Sequence, residues 1–178
     1  MIRTLGGTVD VLPGDFAAVR LESPVGTAIR VGELLNGDGF RDYEHAIFYV
    51  GGKDDLILEA EPGKLGARLV PYHYDSTGVL WSSQNPRLGL TAMQRAAAPQ
   101  IADRYKGVPY SFLDYGALAL HRLHIPAPDL KAYIASTDHA ICSQLVDMCR
   151  FTMGNHLFAD NRWFGYVTPA DLAALILA

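Results

Sequence analysis

The feature that most limits the fold is a pair of apolar runs, "EHAIFYVGG" and "LILEAEPG", joined by the turn-forming "GGKDD". Two alternating apolar runs around a Gly-rich turn predict a β-hairpin. Further strand signals surround it. "FAAVRL" after "PGD" reads as a strand, as do "ARLVPY" and "GVLWSS", which flank a turn around Asp75 to Gly78. A short helix is predicted at "TAIRVGELL", with Thr27 as N-cap and "NGDG" as its stop. From Thr91 onward the period becomes helical. "TAMQRAAAPQIADRYKG" predicts a helix kinked or split by Pro99, followed by candidate helices at "SFLDYGALALHRL" and "DLKAYIAS". Leu145, Val146, Cys149 and Met153 place a helix over Cys142–Met153, with Gly154 as its stop. The final helix has Thr168 as N-cap, Pro169 in its first turn and Asp171 at N3. Strands in one block and helices in another predict an α+β fold built on an antiparallel sheet.

The chain of 178 residues suits one domain spanning 1–178, and 49% hydrophobic against 19% charged residues excludes a disordered chain. A net charge of -4, with no run of like charge, argues against bulk nucleic-acid binding. No stretch approaches the roughly 20 apolar residues of a membrane span, and the start lacks the apolar centre of a signal peptide. The expected protein is therefore cytoplasmic, or delivered without a signal peptide. The two cysteines, Cys142 and Cys149, would stand about two turns apart on one helix, ~10 Å, too far to bridge.

Cys142 opens its helix, where unpaired N–H groups and the helix dipole favour a thiolate. Its own N–H is also placed to hold an oxyanion. Against this stands the commonest fate of a free cysteine, a buried structural thiol, which is how Cys149 reads. Of six histidines, His45 opens the first strand of the hairpin and shares a face with Ile47 and Tyr49. His139 is nearer in sequence but falls in the loop before the helix. The partner strand offers Glu59 and Glu61 on one face. Either carboxylate could orient an imidazole and stabilise its protonated form, and Glu59 lies deeper in the strand. His139, Cys142 and Cys149 lack a second paired set of ligands, so no zinc site is expected. No phosphate loop and no G-x-S-x-G elbow occurs.

The order "PGDF", "EHAIFYVGG", "LILEAEPG", "YKGVPYSF", "AICSQLVD", "YVTPADLA" resembles the circularly permuted NlpC-type papain-like cysteine hydrolases. These include the YiiX and YaeF group and, more distantly, the lecithin:retinol acyltransferase-like proteins. In permuted members the histidine strand precedes the cysteine helix, as here. The resemblance runs from Gly14 to about Leu172 and rests on order and spacing. It implies a permuted papain-like fold, with the sheet or a partial barrel packed on the cysteine-bearing helix. It implies Cys142 as nucleophile, His45 as base and Glu59 as orienting group, with Glu61 as the competing choice. It assigns Tyr110, in "G-V-P-Y-S-F", to the oxyanion site; the alternative is a core tyrosine. The acidic third position departs from relatives that carry His or an amide there. The implied activity is a thiol hydrolase or acyltransferase working through an acyl-enzyme. Its substrates would be peptides, other amides or lipid esters, with no metal or organic cofactor. The competing expectation is a binding or structural module that keeps the fold without turnover.

Overall fold

The computed structural model describes residues 2–4, 7–21, 42–61, 66–110, 140–160 and 166–178. The helices predicted at "TAIRVGELL", "SFLDYGALALHRL" and "DLKAYIAS" lie outside these residues.

A small antiparallel hairpin, β1 (Ile2–Thr4) and β2 (Gly7–Val9), starts the chain and was not foreseen. The main sheet contains β3 (Phe16–Val19), β4 (His45–Gly51), β5 (Leu56–Glu59), β6 (Arg68–Pro71) and β7 (Val79–Trp81). Its order is β6-β5-β4-β3-β7, and every pairing is antiparallel. The predicted hairpin is β4–β5, fastened across its turn by the Tyr49 hydroxyl donating to Asp55 at 2.6 Å. Between β6 and β7 the chain changes edge. A single 3-10 turn, Ser76–Gly78, capped by the Asp75 side chain, redirects it so that β7 pairs with β3. Two more 3-10 turns, Ser82–Gln84 and Pro86–Leu88, follow.

Three described helices come next: α1 (Ala92–Tyr105), α2 (Cys142–Thr152) and α3 (Pro169–Leu177). The helix containing Pro99 is not split. Pro99 is exposed, so water can serve the Arg95 carbonyl that loses its intrahelical donor. Thr91 and Thr168 cap α1 and α3, and Asp171 returns the bond to the Thr168 N–H at 2.9 Å. α2 starts at Cys142, with the Ile141 N–H held by the Gln144 side chain at 3.1 Å. The architecture is α+β, strands first and helices after, with a five-stranded antiparallel sheet.

Both faces of the sheet are covered. Phe16, Ala18, Ala46, Phe48 and Leu58 pack with Leu145, Val146 and Cys149 of α2 and with Leu172 of α3. The other face, carrying Ala17, Val19, Ile47, Ile57 and Trp81, packs against the half-buried Tyr72 and Tyr74. Every residue of β4 is buried, the polar His45 among them. A polar side chain in that position requires partners to offset its desolvation.

Candidate active site

His45 opens β4 and is 2% exposed. The β4–β5 register sets Ile47 opposite Glu59, so Glu59 is the diagonal neighbour of His45 on the same face. Its Oε2 stands 3.8 Å from His45 Nε2, and Glu59 is fully buried. At that separation the contact is an ion pair, longer than an ordinary hydrogen bond. Cys142, 1% exposed at the first position of α2, reaches the same imidazole. Burial pulls the His45 pKa down. The Cys142 charge and hydrogen bond, followed by Glu59, outweigh burial, and the net result is a pKa raised to about 9.

Glu59 shows the complementary balance. Burial opposes its charge, but His45, the Tyr74 hydroxyl bond and the His73 charge win, and its pKa falls to about 2. Oε1 accepts from Arg68 at 2.8 Å, and Oε2 accepts from the Tyr74 hydroxyl at 2.6 Å. Glu61 is drawn away to Arg68 at 2.6 Å and is partly exposed. Of the two predicted orienting carboxylates, the structure therefore sets Glu59 against His45.

Tyr110 is half-buried and pairs its backbone with Ala140, two residues before Cys142. The segment leading to it is pinned on two sides. Ala67 N–H donates to the Val108 carbonyl at 2.7 Å, and Ala140 N–H donates to the Pro109 carbonyl at 3.0 Å. The start of β6 and the start of α2 are thus tied to one short strap. Cys149 is buried in the core with its thiol pKa pushed up by burial, which fits an inert cysteine. His156 bonds the Phe158 carbonyl at 2.8 Å. His121, His124 and His139 lie outside the described residues.

Sequence reasoning missed Arg68, His73 and Tyr74. Arg68 stands opposite Glu59 in the β5–β6 register, a pairing visible only once β6 is placed. His73 stacks on Tyr74 at 4.3 Å between ring centroids, and the Tyr74 ring tilts against His45 at 5.7 Å. The signal available was the concentration of His and Tyr in "PYHYD", directly after a strand. Glu59, Glu61 and His73 offer ligand atoms within 4.8 Å of one another. The Arg68 guanidinium bridges the two carboxylates, at 2.8 Å from Glu59 and 2.6 Å from Glu61.

Among the described residues, no helix is long and apolar enough to cross a membrane. No family model, curated protein or solved structure matches the chain.

Proposed function

We propose that this chain is a cysteine-dependent hydrolase or acyltransferase of permuted papain-like, NlpC-type architecture. The observation that carries the reading is a cysteine at a helix start that is bonded and charge-coupled to a buried histidine, with a buried carboxylate behind it. A histidine that holds its proton up to about pH 9 beside a sulfur favours the thiolate at neutral pH. With Nε2 turned toward Glu59, Nδ1 is left for the sulfur.

In the reaction, the Cys142 thiolate attacks a substrate carbonyl carbon, and the carbonyl electron pair moves onto oxygen. The Cys142 N–H, together with the Tyr110 hydroxyl, holds that oxyanion. As the oxyanion collapses, the bond to the leaving group breaks. The leaving amine or alcohol takes its proton from the His45 imidazolium. The acyl-enzyme then passes to water or another acceptor, with His45 accepting the incoming proton. Glu59 stabilises the ring in the stages where His45 carries the extra proton. The substrate classes are peptides, other amides, and lipid esters or thioesters. No step requires a metal or an organic cofactor.

The second reading, a binding or structural module without turnover, draws on one observation: sulfur and imidazole are both almost fully buried. Alkylation separates the two. At about pH 6, where an ordinary thiol is almost wholly protonated, Cys142 should react with iodoacetamide faster than a small-molecule thiol. The His45→Ala variant should lose that advantage. A wild-type rate at or below that of the free thiol favours the module.

A further inference from the structure

Glu59 has two oxygens, and the structure gives each a different owner. Oε1 belongs to Arg68 at 2.8 Å. Oε2 belongs to the Tyr74 hydroxyl at 2.6 Å and is also the oxygen nearest His45, at 3.8 Å. We propose that Tyr74 is a positioning residue: its hydroxyl holds the Glu59 carboxylate toward His45 against the pull of Arg68. The inference rests on the Cys142–His45 reading above.

The physical case is a competition. A guanidinium prefers to take both oxygens of a carboxylate as a fork. Arg68 already engages Glu61 and sits at the half-exposed margin, with a side chain 36% exposed. If it took both Glu59 oxygens, the negative charge would turn away from the buried imidazole. The Tyr74 hydroxyl occupies the oxygen that such a fork would need. Tyr74 is itself held in place, stacked on His73 and tilted against His45. Its phenol remains a donor. Burial, then the Glu59 charge and hydrogen bond, and then the charges of Glu61 and Cys142 all raise its pKa.

The groups facing Glu59 come from every surrounding element. Among the described residues they are His45 from β4, Arg68 from β6, His73 and Tyr74 from the segment after β6, and Glu61 beyond the end of β5, while the charge of Cys142 from α2 acts on Tyr74. Of these, Tyr74 holds Oε2 by a hydrogen bond, at 2.6 Å, while the His45 and His73 rings stand at 3.8 and 3.9 Å, so removing its hydroxyl changes the direction of the carboxylate without removing a charge.

The test follows the imidazole of His45 by NMR titration in wild type, Tyr74→Phe, Glu59→Gln and the double variant. In wild type the ring should titrate near 9. In Tyr74→Phe its midpoint should fall by roughly one pH unit, the worth of one hydrogen bond to a charged group. In the Glu59→Gln background the Tyr74→Phe change should have no further effect, because Tyr74 acts only through Glu59. A Tyr74→Phe curve that overlays wild type overturns the inference, and so does a shift that persists in the Glu59→Gln background. A wild-type His45 titrating at its ordinary 6.5 removes the Cys142–His45 reading itself, and Tyr74 would then have nothing to position. Should Tyr74→Phe not fold, the Tyr74 hydroxyl proton in wild type decides. Protection from exchange that is lost in Glu59→Gln supports the inference, and a freely exchanging hydroxyl in wild type overturns it.

Discussion

His45 binds its proton more tightly in the folded protein than in the unfolded chain, about 9 against 6.5. Its contribution to stability is therefore full below 6.5 and is lost as pH rises through 9. Glu59 runs the other way. Its contribution is full above 4.5 and is lost as pH falls through about 2. Urea unfolding across these ranges should show stability declining on the alkaline side, and His45→Ala should flatten that decline. A slope that survives His45→Ala would assign it to another group. The two carboxylates can be separated in the same spirit. Glu59→Gln should slow Cys142 alkylation at about pH 6 by roughly tenfold, and Glu61→Gln by less than about twofold. The reverse order would make Glu61 the orienting group. That Cys142, His45 and a carboxylate of β5 come together was expected from a helix start, a strand start and an alternating face, joined by the family resemblance, while the sequence left Glu59 and Glu61 as alternatives. Arg68, His73 and Tyr74 were not readable, because each reaches Glu59 only through the non-local placement of β6 and the turn after it.

At the scale of elements, Gly66 is the position to test. Its backbone is left-handed, with φ +87°, and a Cβ there would lie 2.5 Å from the Val108 carbonyl oxygen. That carbonyl belongs to the strap joining the start of β6 to the start of α2. Gly66→Ala should therefore cost about 1–3 kcal/mol in chemical denaturation. It should also slow Cys142 alkylation, although position 66 is remote in sequence from the cysteine. Lost stability with unchanged reactivity would mean that the strap does not set the position of α2. The β4–β5 hairpin and the cap of α3 were legible because their signals lie within a few residues. The transfer of β7 to the far edge beside β3 was not, since nothing in "GVLWSS" states its partner. Pro99 misled because its cost depends on whether the stranded carbonyl meets water, which is a tertiary property.

For the molecule as a whole, Arg150 ties the parts together. It is fully buried on α2, yet its guanidinium donates to the Gly14 carbonyl at 3.0 Å, the Leu88 carbonyl at 2.6 Å and Asn155 Oδ1 at 2.7 Å. Phe16 lies beneath it at 5.5 Å. One side chain thereby joins the approach to β3, the turn before α1 and the end of α2. Nearby, Asp15 accepts from Arg95 at 3.0 Å and fastens the same approach to α1. Arg150→Met should cost about 3 kcal/mol, because it leaves buried carbonyls without donors. A loss below about 1 kcal/mol would show that water replaces the guanidinium. The burial of a charged residue on α2 was not legible, since nothing local in "DMCRFT" separates a buried arginine from a solvent-facing one.

The central claim is that Cys142 and His45 form a thiolate–imidazolium pair, and the most direct measurement is the ultraviolet absorbance of the thiolate against pH. It needs no reagent to enter the buried site. Cys149, with its thiol pKa pushed up by burial, stays silent through the neutral range. Wild type should show one thiolate already present near pH 6, absent from Cys142→Ser and displaced to about 8.5 or above in His45→Ala, where burial acts without the imidazolium to offset it. A wild-type curve with no thiolate until about pH 8.5, or one unchanged by His45→Ala, would contradict it.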